Sequence, residues 1–157
     1  MSDRTFSFEV NRTSSAPPAV LFRLETDGAG WSKWAGPMIV SSSWERQGDP
    51  APAGIGAIRK IGLWPVLMRE ETIEYEQDRR HVYTFTGRGP AKNYRAEVTF
   101  TPNAAGGTDL KWTGSFSDGA IPGTGPVVLA IMRNTIQGVS KRLVKAAERE
   151  TGTGATG

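Results

Sequence analysis

Cysteine is absent from this chain of 157 residues, and histidine occurs once, at position 81. Without cysteine there are no disulfides, no thiol nucleophiles and no thiolate metal sites. A metal would have to be held by carboxylates around His81 alone, and none is expected. A serine triad needs a histidine within reach of its nucleophile, and no elbow sequence surrounds any serine. No phosphate-binding loop occurs, and Gly119, Gly123 and Gly125 match no nucleotide fingerprint, so no cofactor is expected. No apolar run approaches membrane-spanning length, and residues 1–12 are polar and alternating with no signal-peptide core. These features predict a cytoplasmic protein with no membrane insertion. The net charge is +3, from 19 basic and 16 acidic side chains. The basic residues are scattered, with Arg79, Arg80, Lys141, Arg142 and Lys145 the nearest to clusters, and none interleave with aromatics. Nucleic acid is not an expected partner. No linker or repeat divides the chain, so residues 1–150 are read as one domain and 151–157, all glycine, threonine and alanine, as a disordered tail.

What is present is organised around residues 126–150. Val128, Met132, Ile136, Val139, Leu143 and Ala147 recur at three- and four-residue spacings and share one helical face. Arg133, Gln137, Lys141, Lys145 and Glu148 lie mostly opposite. A loop containing Gly119, Pro122, Gly123 and Gly125 precedes them, and Pro126 suits a first helical position. Such a stripe needs a broad apolar partner, and the middle of the chain offers strands.

Residues 5–11 alternate, with Phe6, Phe8 and Val10 on one face. Ser14 and Ser15 are possible caps, and Pro17 and Pro18 a first turn, for a short helix over 19–25 burying Val20, Leu21 and Leu24. A second turn carries Trp31 and Trp34, which close one end of the core. Strands are predicted over 38–46, 55–63, 67–76, 80–86, 93–101 and 108–117. The pairing is cleanest in the last hairpin. A turn near Ala105 sets Phe100 against Leu110 and Val98 against Trp112, with Tyr94 and Ala96 on the same face. A turn near Asp78 sets His81, Tyr83 and Phe85 against Tyr75, Ile73 and Glu71. A turn near Pro65 sets Glu71 opposite Arg59, both facing inward with Ile55, Ala57 and Ile61.

The order of strand, two short helices, six strands and a long helix resembles the helix-grip fold of the START-like (SRPBCC) superfamily. That superfamily includes polyketide cyclase/dehydrase-type and birch-pollen-allergen-like proteins. Local patterns resemble it too: Trp31-Ser-Lys-Trp34, Gly54-Ile-Gly56-Ala-Ile-Arg59, Arg69-Glu-Glu-Thr-Ile-Glu-Tyr75 with Arg79 and Arg80, and Gly107-Thr-Asp-Leu-Lys-Trp112. The likeness covers residues 6–150. It implies an α+β fold in which a curved seven-stranded antiparallel sheet wraps the C-terminal helix around an apolar cavity. It also implies a small hydrophobic partner such as a lipid or polyketide, bound for transport or sequestration, and in some members cyclase or aromatase chemistry.

Arg59 and Glu71 then form the candidate polar anchor, or a structural ion pair. Glu71, His81 and Tyr83 are the candidate proton carriers if a reaction occurs. Ile73, Tyr75, Tyr83, Phe85, Tyr94, Val98 and Trp112 from the sheet, with Val128, Met132 and Ile136 from the helix, are the candidate lining. Three functions follow: a binder of a hydrophobic or amphipathic molecule, a cyclase-type enzyme, and an interaction module using Trp44 and Trp64. An enzyme needs at least two polar groups converging in the cavity. An interaction module predicts a filled cavity and an apolar patch outside.

Overall fold

The computed structural model describes residues 4–37, 39–63, 66–86, 92–117 and 123–152. Residues 1–3, 38, 64–65, 87–91, 118–122 and 153–157 lie outside them, among them Trp64, Pro65 and Gly119. Seven strands run β1 (Thr5–Ser14), β2 (Ser41–Arg46), β3 (Ile58–Leu63), β4 (Val66–Glu76), β5 (Arg80–Phe85), β6 (Lys92–Pro102) and β7 (Thr108–Ser117). The helices are α1 (Pro18–Thr26), α2 (Trp31–Trp34) and α3 (Gly125–Thr151). All strand pairs are antiparallel, in the order β1-β7-β6-β5-β4-β3-β2. The fold is therefore the helix-grip fold, with an open sheet carrying the long helix on one face.

Period-two alternation decides which face that is. On β7, Leu110, Trp112, Gly114 and Phe116 are buried, and on β6 Tyr94, Ala96, Val98 and Phe100 are. Phe100 pairs with Leu110 and Val98 with Trp112, as the sequence predicts. The outer face is polar. Arg80 bridges Glu74 and Glu97, and Arg95 also reaches Glu74. Such half-exposed pairs add little stability but keep that face wet. At Gly114 a side chain is forbidden by packing, because a Cβ there would stand 2.4 Å from the Phe8 ring.

Three expectations need correction. Ile55 is exposed in the loop before β3 rather than inward, because the Asp49–Ile55 bridge holds it outside the sheet. Ser14 and Ser15 do not cap α1, whose N-cap is Pro17 with Pro18 in its first turn. Their hydroxyl and amide instead donate to Glu148 on α3, tying the start of the chain to its end. The last helix also takes in Thr151, whose hydroxyl donates to the Ala147 carbonyl, and Gly152 closes it in the left-handed region at φ 77°.

Apart from Gly125 at its start, the buried residues along α3 are Ile136, Val139, Ser140, Leu143 and Ala147, all in its C-terminal two-thirds. Met132 and Val128, one and two turns before Ile136, are only half-buried. The helix is thus clamped at one end and overhangs at the other. Replacing Leu143 by alanine is expected to cost about 3 kcal/mol of unfolding free energy, from lost transfer energy plus a cavity. Val127→Ala, at a side chain 63% exposed, is expected to cost under about 0.5 kcal/mol. Urea denaturation of the two variants checks this contrast.

Candidate functional site

Under the overhanging half of α3 lies a cavity of about 220 Å³. Tyr83 and Phe85 of β5, Tyr94 of β6 and Met68 and Glu70 of β4 form its floor. Ile61 comes from β3, and Trp31 with Ile39 closes the end nearest α2. Ile131, Met132, Thr135 and Ile136 form the roof. The wall is aromatic and aliphatic, with Phe85 stacked on Tyr94 at 4.1 Å between ring centroids. Glu70 is the one carboxylate on it.

Glu70 is held by a deeply buried guanidinium. Arg59 is 3% exposed, and its Nε donates to Glu70 Oε1 at 2.9 Å. Its Nη1 donates to both the carboxylate and the backbone carbonyl of Glu25, the former at 3.1 Å. The guanidinium carbon sits 4.4 Å from the Trp31 ring centroid and 4.7 Å from that of Tyr83, so aromatic faces cover its flat sides. Gly28 lets it pass, since a Cβ there would stand 2.5 Å from Arg59 Cβ. Glu25 is wholly buried and continues the chain of contacts. His81 Nδ1 donates to it at 2.8 Å, and Thr72 Oγ1 lies 2.9 Å from His81 Nε2.

The two carboxylates respond differently to similar burial. For Glu25, burial works to raise the pKa, but His81 and then Arg59 outweigh it and hold the carboxyl below the ordinary value. For Glu70, burial also comes first, and Arg59 offsets it only in part, so this carboxyl sits above the ordinary value. Arg59 opposes its own desolvation with the charges of Glu70 and Glu25 and stays protonated. Burial likewise holds Tyr83 and Tyr94 neutral. The outcome is a closed structural pair, Glu25 with Arg59, beside a carboxyl that is half-engaged and faces the cavity.

Among the expected lining residues, Tyr83, Phe85, Tyr94, Met132 and Ile136 border the cavity. Arg59 and Trp112 stand behind its wall, Trp112 donating from Nε1 to the Tyr83 hydroxyl at 3.1 Å. Val98 is buried beyond them in the β6–β7 core, and Val128 packs on the core without bordering the cavity. Tyr75 packs edge-on against Phe22 of α1, away from the cavity.

Glu71 and Ile73 do not face inward. Leu63 pairs with Val66, and in that register Arg59 meets Glu70 rather than Glu71. A one-residue shift exchanges the faces. Glu71 points outward, where Arg46 Nη2 approaches it at 3.4 Å. Farther along β4 a bulge between Thr72 and Glu74 leaves Ile73 unpaired and 39% exposed. Beyond it the expected parity returns, and Tyr75 pairs with His81. His81 is 1% exposed with both ring nitrogens engaged, and it does not border the cavity.

Sequence reasoning missed Glu25 and Glu70. The signal for Glu25 was present: it follows Leu21 by four residues, so it shares that residue's buried face of α1. Glu70 gave none apart from the register. Trp31 and Trp34 are buried as expected, 5.0 Å apart between centroids, and Trp44 is half-buried rather than exposed. Among the described residues no group of three metal-ligating side chains occurs, and no helix is long and apolar enough to cross a membrane.

A curved antiparallel sheet closed by a C-terminal helix over an internal apolar cavity defines a helix-grip protein. The chain belongs to the family described as polyketide cyclase/dehydrase and lipid transport, which it matches over residues 5–151. Its structure is similar to the crystal structure of Ara h 8.0201, at 20% identity and a TM-score of 0.70, covering 92% of this chain and 98% of that one. It is also similar to protein CV1439 from Chromobacterium violaceum, at 19% identity and a TM-score of 0.67, covering 90% of this chain and 96% of that one. At those identities the likeness speaks for the fold. No curated protein matches the sequence.

Glu25→Gln is expected to lower unfolding free energy near neutral pH by about 3 kcal/mol, since Arg59 would keep its burial and lose a charge partner. A carboxyl lowered by folding stabilises above its ordinary value of 4.5, and that stability is lost as pH falls through the lower folded value. The gap between wild type and variant should therefore be full at pH 7 and narrow below about pH 4, as denaturant titrations across pH will show.

Proposed function

We propose that the protein binds a small, largely apolar molecule in the cavity between β3–β6 and the N-terminal half of α3. The observation that carries this reading is the cavity itself, a 220 Å³ space walled by aromatic and aliphatic side chains with one carboxylate at its floor. Its size lies between the roughly 150 Å³ cavity that accepts benzene and the roughly 300 Å³ at which drug-sized pockets begin. That scale suits a single ring with short substituents, or an aliphatic body of similar bulk. Affinity would come from removing the ligand's apolar surface from water. An interaction module would call for a filled interior, so the open cavity favours the binder.

One observation favours catalysis as the second reading. Glu70, raised above the ordinary carboxylate value, lines the same wall as Tyr94, which burial keeps neutral. Two polar groups on one wall meet the minimum for proton transfer to and from a bound carbonyl compound, within the chemistry of the family. His81 and Glu71, which do not border the cavity, have no part in that reading.

The test is a calorimetric titration with single-ring apolar molecules, run in parallel with Met132→Trp. Filling the roof is expected to weaken binding at least tenfold while thermal stability is retained. Equal affinity in the variant would place the ligand elsewhere. Turnover of carbonyl-bearing ligands that bind, abolished by Glu70→Gln, would select the enzyme over the carrier.

A further inference from the structure

We infer that the polar end of the cavity selects a ligand group that donates a hydrogen bond, an alcohol, phenol or amine, and rejects a carboxylate. This rests on the binding reading above and names the class of molecule that the site takes.

The inference follows from which polar atoms on the wall are already spent. Five lining side chains carry nitrogen or oxygen atoms: Trp31, Glu70, Tyr83, Tyr94 and Thr135. Trp31 Nε1 donates to the Glu25 carbonyl at 2.8 Å. Thr135 Oγ1 donates to the Ile131 carbonyl of its own helix. The Tyr83 oxygen accepts from Trp112 at 3.1 Å, and its ring meets that of Tyr94 edge-on. Tyr94, a neutral hydroxyl that both donates and accepts, does not discriminate between ligand groups. Glu70 does. Its Oε1 accepts from Arg59, and its Oε2 has no partner among the described residues, although the side chain is 7% exposed. That oxygen is open to the cavity, so a ligand that displaces water from it without donating a hydrogen bond leaves it unpaired.

Arg59 is not the compensating donor site for an anion. Its Nη2 also makes no hydrogen bond, but the atom is buried between the Trp31 and Tyr83 rings and Arg59 does not border the cavity. An incoming carboxylate would meet Glu70 first, with like charges in a place of low dielectric. A hydroxyl or ammonium would complete the acceptor and leave the apolar ring against Phe85, Met132 and Ile61. The anchor is thus of opposite sense to a guanidinium reaching for a carbonyl or carboxylate.

Calorimetric titration of the full chain near neutral pH with four probes of one shape tests this: para-xylene, para-methylbenzyl alcohol, para-methylbenzylamine and para-methylbenzoate. The alcohol or the amine is expected to bind at least tenfold tighter than para-methylbenzoate and tighter than para-xylene. Glu70→Gln should remove most of the gap between amine and benzoate, while Glu71→Gln, the same change on the outer face, should leave it. Benzoate binding as tightly as the alcohol and the amine overturns the inference. So does para-xylene binding as tightly as both donors, although the cavity then remains a binding site. If none of the four binds, the cavity reading fails together with the inference.

Discussion

A guanidinium buried to 3% exposure sets the terms for this structure. Removing such a charge from water costs several kcal/mol, and only well-placed partners offset it. Arg59 finds them on four elements. Glu25 comes from α1, Glu70 from β4, and the Trp31 and Tyr83 rings from α2 and β5. The same contacts that neutralise the charge therefore dock the short helices onto the sheet. His81 and Thr72 extend the network across β4 and β5. An ion pair of this kind adds little stability over an apolar replacement, but it is intolerant of misplacement. A one-residue slip of β3 against β4 would turn Glu70 outward and break its hydrogen bond with Arg59, putting Glu71 in its place.

That register separates what could be read in the sequence from what could not. Elements, order and fold class were legible, because alternation on β1, β6 and β7 and the three-four spacing on α3 are strong local signals. The last hairpin was legible to the residue pair, since two apolar faces leave one alignment that buries both. The β3–β4 hairpin was not. Arg59, Lys60, Arg69, Glu70 and Glu71 offer charges to either face, and their alternation does not say which charge is buried. The bulge at Ile73 compounds this, since one extra residue inverts parity upstream of Tyr75 without changing composition. Of the lining that comes from β5, β6 and α3, the sequence pointed to Tyr83, Phe85, Tyr94, Met132 and Ile136 but not to Ile131, Thr135 or Val139. The part from β3, β4 and the segment after α2 depended on that register or on the path of a loop.

The cavity and the charge network are parts of one arrangement. The inward face of the sheet carries Tyr83, Tyr94 and Phe85 with Trp31 of α2 beside them, and their bulk explains a space of 220 Å³ rather than an elongated tunnel. The helix does not fill it because its firmly packed residues, from Ile136 to Ala147, lie toward the C-terminal end. Near its start, Met132 and the neighbouring apolar side chains roof the space loosely. Methionine is flexible and polarisable, so a roof built on it can adapt to different occupants without a change of backbone.

The distribution of charge around this space favours a definite polarity. Glu25 and Arg59 satisfy each other behind the wall, and His81 adds a further hydrogen bond to Glu25. Glu70 receives what is left of the guanidinium through one oxygen and presents the other to the cavity. Had the register put Arg59 on the wall with Glu71 beside it, the cavity would end in a cation able to hold a carboxylate or a carbonyl. With Arg59 drawn back between two rings, the cavity ends in an acceptor. A shift of one residue in a hairpin thus changes the class of molecule that the same fold and the same aromatic wall would hold.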